Sequence, residues 1–175
     1  MDFQTVFAEL EAAREAGVIS TYALGGAVAA TFYIEPAATE DIDVFVVLEP
    51  GPGRLIVTLE SVFEFLTARG ATIQGEHIVI GRWPVQFLPA SSPLQLDALR
   101  AACSVDVEGQ SVSVLSAEYL AAIALDTARP KDKVRLQQFL EWAGFNRARF
   151  EAVVAQYGLG SKWTRFVAQF LSQSP

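Results

Sequence analysis

The sequence predicts an α/β (α+β) chain, a mixed β-sheet flanked by helices with a helical C-terminal segment. Three observations predict it. Strand and helix patterns alternate through the first two-thirds of the chain. Residues 41–48 read as a strand that is apolar on both faces, which places it inside a sheet. From residue 116 onward only helical spacing is found. The expected division is a sheet-bearing core over 1–115 and helices over 116–175 packed on it.

Taken in order, Phe3, Val6, Phe7 and Leu10 follow helical spacing, and Gly17 is the expected stop. Val18 to Leu24 reads as a buried strand entering the Gly25-Gly26 turn. Ala27 to Phe32 is a short helix of small residues, and Ile34 to Glu40, with Pro36, is a loop. In the strand that follows, Ile42, Val44, Val46 and Leu48 share one face; Asp41, Asp43, Phe45 and Val47 share the other. Pro50 to Gly53 is a loop, and Leu55, Leu59, Val62, Phe63 and Leu66 form a helical stripe ending near Gly70. Ile73 to Ile80 and Trp83 to Leu88 read as two strands joined at Gly81-Arg82. Pro84 suggests an edge position or a start just after a turn.

Leu94 to Ala102 is expected to be a short helix, and Val105 to Val114 a hairpin around Glu108-Gly109 or an extended connection. Ser116 is the expected cap of a helix with the stripe Leu120, Ile123 and Ala124. Pro130 suits the first turn of the next helix, whose stripe is Leu136, Phe139, Leu140 and Ala143 before Gly144. Asn146 and Ser161 are expected to cap the last two helices, which carry Phe150, Val153, Val154, Tyr157 and then Trp163, Phe166, Val167, Phe170.

Composition narrows the function. The chain has 175 residues, 51% of them hydrophobic, enough for one ordinary core. No apolar run reaches membrane-spanning length, and the start at Met1-Asp2 reads as an amphipathic pattern rather than a secretory signal. The expected compartment is therefore the cytoplasm, with no membrane partner. One cysteine excludes an internal disulfide and a cysteine-based zinc site, and Cys103 reads as a core residue. His77, the single histidine, leaves no route to a His-rich metal site and reads as structural. The three tryptophans read as packing residues, and Tyr33 as either packing or site. The net charge of −7 argues against general nucleic-acid binding. Yet residues 129–175 hold eight basic and three acidic side chains, so that segment could meet a polyanion or could simply be a solvated surface.

The chemistry gathers at Gly25-Gly26 and at Asp41-Ile42-Asp43. Alternation puts Asp41 and Asp43 on one face, with α-carbons about 7 Å apart. That spacing suits carboxylates that share or bridge a hard divalent cation. The Gly-Gly turn lets bare backbone N–H groups approach a phosphate. A nucleoside triphosphate with Mg²⁺ (or Mn²⁺) needs both features.

This stretch resembles the signature of the DNA polymerase β-like nucleotidyltransferases: Gly-Gly or Gly-Ser, about a dozen residues, then Asp-x-Asp in a strand. It is most similar to the minimal nucleotidyltransferases and to the nucleotidyltransferase toxins of type IV toxin–antitoxin systems, the abortive-infection type. Thr39 fits their Thr-x-Asp-hydrophobic-Asp run, and Arg129-Pro130-Lys131-Asp132 resembles the Arg-x-Lys-Asp block that opens a late helix in them. The resemblance implies the nucleotidyltransferase fold and transfer of a nucleoside monophosphate from a triphosphate to an RNA (tRNA-like) or protein hydroxyl. Asp41 and Asp43 would be catalytic and hold the metal. Gly25, Gly26, Thr39, Lys131 and Asp132 would bind the nucleotide, and an antitoxin would be a partner. It also implies a third carboxylate on a later strand, and the matching place holds Gln86. A neutral amide cannot act as a base and is a poor second-metal ligand. Glu76 on the neighbouring expected strand is a candidate substitute. The alternative reading is a catalytically inactive protein of this fold that binds nucleotide or a partner protein.

Overall fold

The computed structural model describes residues 3–36, 39–48, 58–107 and 109–171. The expected loop over 50–53, Leu55 of the third helix's stripe and Glu108 of the hairpin turn lie outside the described residues. The elements run α1 (Gln4–Glu15), β1 (Thr21–Leu24), α2 (Gly26–Ala30), β2 (Ile42–Val47), α3 (Glu60–Ala68), β3 (Thr72–Gln74), β4 (His77–Ile80), β5 (Trp83–Pro89), α4 (Pro93–Arg100), β6 (Cys103–Val107) and β7 (Gln110–Val114). Four helices follow, α5 (Ala117–Thr127), α6 (Pro130–Glu141), α7 (Arg147–Gln156) and α8 (Gly160–Phe166), and a π-helical turn over Val167–Leu171.

The sheet is mixed, with strand order β3-β4-β5-β2-β1-β7-β6. β2 is at its centre, antiparallel to β1 and parallel to β5. Its two-sided apolarity is the cause: Ile42, Val44 and Val46 are fully buried on one face and Phe45 is buried on the other. Tyr22 donates a 2.6 Å hydrogen bond to Glu11, and the rings of Phe63 and Phe87 meet at 6.4 Å, so α1 and α3 cover the first face. Asp43, Phe45, Gln86 and Leu88 look the other way, into a cleft shared with Gln95 of α4 and Leu120 of α5.

Several expected boundaries shift. Residues 18–20 lie outside the strand, which runs only from Thr21 to Leu24. The single strand expected over 73–80 is a hairpin, because Gly75, at φ +61°, folds the chain back between β3 and β4. Pro84 is the second residue of β5, an interior strand, and follows the Gly81-Arg82 turn; the turn reading holds and the edge reading does not. Residues 103–114 do form a hairpin. Ser116 holds the N-cap position of α5, but its hydroxyl makes no capping bond and is buried without a partner among the described residues. Ser161 lies inside α8, whose N-cap position is Leu159. Cys103 is exposed rather than buried, because it begins an edge strand whose outer positions face solvent.

The helical segment is tied to the core by its aromatic side chains. Tyr33 donates to the Leu115 carbonyl at 3.1 Å, and its ring packs against Trp142 and Phe139, so it is a packing residue. Phe139, Phe145, Phe150, Trp163, Phe166 and Phe170 continue the series ring to ring. The buried Glu118 of α5 accepts the Asn146 backbone N–H at 3.3 Å, and Asn146 in turn caps α7. Trp83 packs on Phe3. All three tryptophans are thus packing residues. No helix among the described residues is long and apolar enough to cross a membrane.

Candidate functional site

The site is built where β1 turns into α2 beside the start of β2. Gly25 donates its N–H to the Asp43 carbonyl at 2.9 Å, which locks the turn to the strand. Gly26 has φ +58°, and a methyl group on it would overlap the Asp43 carboxylate and lie 2.7 Å from Cγ. At Gly25 a methyl group would run into the Phe45 ring. Both glycines are therefore required by close packing against β2, with Gly26 seated directly on the carboxylate. Burial, with the nearby charge of Asp41, raises the Asp43 carboxyl above the usual range; Lys131, Arg129 and Arg135 pull it back down.

The strand register settles which residue stands next to Asp43. β2 and β5 run parallel with Asp43 opposite Gln86, so the two side chains share a face. The position where a third carboxylate is expected is thus the amide of Gln86. Glu76 does not replace it. It lies in the β3–β4 turn and is exposed, because the hairpin carries it past the end of the sheet. His77 is brought in instead. β4 pairs antiparallel to β5 with Ile78 opposite Val85, and one further step of that register sets His77 across from Gln86. Its Nε2 lies 3.6 Å from Asp41 Oδ2, with both side chains about three-tenths exposed. Strand alternation alone could not reveal this neighbour, because the β3–β4 turn had to be located first.

The late helix supplies cations from the opposite side. Pro130 opens α6 and Arg129 is its N-cap residue. Asp132 is only 1% exposed. It accepts hydrogen bonds from Thr127 Oγ1 at 2.8 Å and from Arg129 Nε at 2.6 Å, and Arg135 Nη1 stands 3.7 Å away. Burial alone would raise this carboxyl; the bonds from Arg129 and Thr127 and the charge of both arginines outweigh it and hold the carboxyl below the usual range. Arg135 is lowered by its own burial, against the attraction of Asp132 and Asp43. Asp132 therefore holds Arg129 and Arg135 in the wall of the cleft that also contains Asp43.

Two clefts adjoin at the Asp41–Asp43 face. One, of about 330 Å³, includes Gly26, Asp43, Gln86, Arg129, Asp132 and Arg135 in its walls. The other, of about 580 Å³, is lined by Thr39, Glu40, Asp41, Gln74, His77, Pro84 and Lys131. Thr39 Oγ1 donates to Asp41 at 3.1 Å, bracing the loop that leads into β2. Asp41, Asp43, Gly26, Thr39, Gln86, Lys131 and Asp132 are thus gathered in this region, and Gly25 backs it from behind. The rest of the basic tail is dispersed: Arg147 pairs with Glu151, and Lys162 with Asp126.

The donors suit a hard divalent ion in part. Asp41 and Asp43 offer carboxylate oxygens, and no group of three histidine, cysteine, aspartate or glutamate side chains among the described residues converges on one point. An ion held here needs water or phosphate oxygens for its remaining positions, as Mg²⁺ commonly does beside a nucleotide.

No family model and no curated protein matches the sequence significantly. Solved structures are similar to it in fold. A crystal structure of an antigenic nucleotidyltransferase-like protein from Paracoccidioides brasiliensis is similar with a TM-score of 0.64 at 16% identity, over 98% of this chain and 89% of that one. The solution structure of the antibiotic-resistance factor ANT(2'')-Ia gives 0.48 at 16% identity, over 99% and 94%. The crystal structure of ANT(2'')-Ia with adenylyl-2''-tobramycin gives 0.48 at 13% identity, over 95% and 97%. The first likeness shows that the chain has the fold of a nucleotidyltransferase-like protein.

Proposed function

We propose that this protein is a metal-dependent nucleotidyltransferase that moves a nucleoside monophosphate from a triphosphate to a hydroxyl acceptor. The observation that carries the reading is that Asp43, seated on Gly26, shares one cleft with the arginine pair held by Asp132. A carboxylate wall opposite a cationic wall accommodates Mg²⁺ (or Mn²⁺) and a triphosphate together. Asp41 and Asp43 would hold the ion, which would supply charge neutralisation at the α-phosphate and the leaving pyrophosphate. Arg129, Arg135 and Lys131 grip phosphate oxygens from the other side. The acceptor oxygen bonds to the α-phosphorus, the bond from that phosphorus to the bridging oxygen breaks, and pyrophosphate leaves. Gln86 cannot take the hydroxyl proton, so water or the substrate itself accepts it.

The Gly-Gly, Asp-x-Asp and Arg-x-Lys-Asp blocks support a place among the toxin–antitoxin nucleotidyltransferases. The acceptor is then an RNA end, tRNA-like, or a protein hydroxyl, and an antitoxin is a partner. The expected compartment is the cytoplasm.

Gln86 beside Asp43 favours a second reading, an inactive relative that binds nucleotide or a partner protein. Calorimetric titration of each ribonucleoside triphosphate, with Mg²⁺ and with chelator, tests the first. Metal-dependent binding that disappears in Asp43→Asn is the expected result. Binding indifferent to metal and to Asp43→Asn would instead support the second reading. If Gln86 is what disables the site, Gln86→Asp should raise transfer, and no rise would count against that explanation.

A further inference from the structure

We infer that the far end of the Asp43 cleft holds the nucleobase, and that Gln95 there selects a base with a carbonyl oxygen on its pairing edge over one with an amino group. The inference rests on the proposed triphosphate reading and deepens it by naming the class of nucleotide.

The cleft has a charged end and an apolar end. Asp43 and Gln86 form one row across β2 and β5, and Phe45 and Leu88 form the row two residues on. Two residues along a strand is about 7 Å. The wall supplied by α5 changes in the same direction. Leu120, Ile123, Ala124 and Thr127 follow helical spacing, and all four line the cleft. Thr127 is bonded to Asp132 at the charged end, and Leu120 lies about 10 Å earlier along the helix. With the phosphates placed among Asp43 and the arginines, Phe45, Leu88, Leu120 and Ile123 are left for the flat faces of a base.

Gln95 stands at that end because β5 finishes at Pro89 and Ser92 caps the next helix, α4. It lines the cleft beside Leu88 and Leu120. Its carbonyl oxygen accepts from the backbone N–H of Ser91 at 3.0 Å and of Ser92 at 3.2 Å, the second of which closes the capping box of α4. Both partners are donors, so the oxygen must face them and the amide cannot be turned round. What remains is the Nε2 amino group, which has no partner among the described residues. An amide NH₂ only donates. It therefore fits the carbonyl oxygen of uracil, guanine or hypoxanthine. The exocyclic amino group of cytosine or adenine would leave two donors facing each other, and an unmade bond in a closed site is costly.

The test is calorimetric titration of the full chain, with Mg²⁺, by UTP, CTP, inosine triphosphate and ATP in turn. Comparison is made within one ring size, so that cleft size does not enter. UTP is expected to bind about 3–10-fold tighter than CTP, and inosine triphosphate than ATP, in whichever pair the cleft admits. Gln95→Glu keeps an oxygen for Ser91 and Ser92 and puts a second acceptor where the NH₂ stood, so the capping box survives. Its added charge weakens every triphosphate, and the ratio within the pair is expected to reverse in favour of the amino base. Gln95→Met is expected to level the ratio, with thermal melts confirming that both variants fold.

Equal binding within both pairs by the wild type would overturn the inference. So would a carbonyl preference that survives in Gln95→Glu and Gln95→Met. A preference that Gln95→Glu reverses, in a protein indifferent to chelator and to Asp43→Asn, would sink the transferase reading and leave this one standing. Metal-dependent binding lost in Asp43→Asn, with no choice between bases, would do the reverse. Failure to bind any triphosphate would overturn both.

Discussion

Gly26 Cα sits so close to the Asp43 carboxylate that no side chain fits between them. The contact joins the turn at the end of β1 to the strand that carries both aspartates, and it sets which way the Asp43 oxygens point.

Gly26→Ala should be costly twice. The residue has φ +58°, where an L side chain costs about 1–2 kcal/mol, and its methyl group must displace Asp43. Urea unfolding should show a loss of at least about that size, and calorimetry should show the loss of metal-dependent triphosphate binding. A variant of wild-type stability with intact binding would mean that the carboxylate has room to move aside.

Asp43 should make the fold less stable as pH rises. Burial and the charge of Asp41 raise its carboxyl in the folded state, so the folded chain binds this proton more tightly than the unfolded chain does. The cost of ionising it is absent well below the unfolded carboxylate range and complete above the folded value. Asp43→Asn removes that cost. Thermal melts without metal should show the variant more stable than wild type at pH 7, with the gain vanishing near about pH 3. A gain equal at both pH values would assign it to packing instead of charge.

Asp132 should behave with the opposite sign. The bonds from Arg129 and Thr127 hold its carboxyl below the usual range despite burial, so it stabilises the fold above the unfolded carboxylate range. That contribution is lost as pH falls through the folded value. Asp132→Asn should cost about 1–3 kcal/mol at pH 7, because Arg135 is mostly buried and loses its counter-charge. Urea titrations at pH 7 and at pH 3 should show the deficit narrowing in acid. The same deficit at both would mean that shape, rather than charge, is what Asp132 contributes.

Much of the site was legible in the order of residues. Gly25-Gly26, Asp41-x-Asp43 and Arg129-x-Lys131-Asp132 each carry a local reason for their position: a turn without side chains, an alternating strand, a helix start. What they could not convey was the role of each glycine, since the atoms that crowd Gly25 and Gly26 belong to β2. The Arg-x-Lys-Asp spacing puts Asp132 in the first turn of α6, but only the fold surrounds it with Thr127 and two arginines.

By itself, the sequence determined the alternation that makes a mixed sheet, the central position of β2 and the helical character of the last third. Those follow from periodicity, which is local. The tertiary structure decided what stands beside what. The turn at Gly75 removed Glu76 from the site, the β2–β5 register put Gln86 against Asp43, and β4 brought His77 to Asp41. Pairing between distant strands depends on the joint burial of many side chains, and a shift of one residue turns every side chain to the other face. Linear spacing carries the strand; only the packed sheet carries its neighbours.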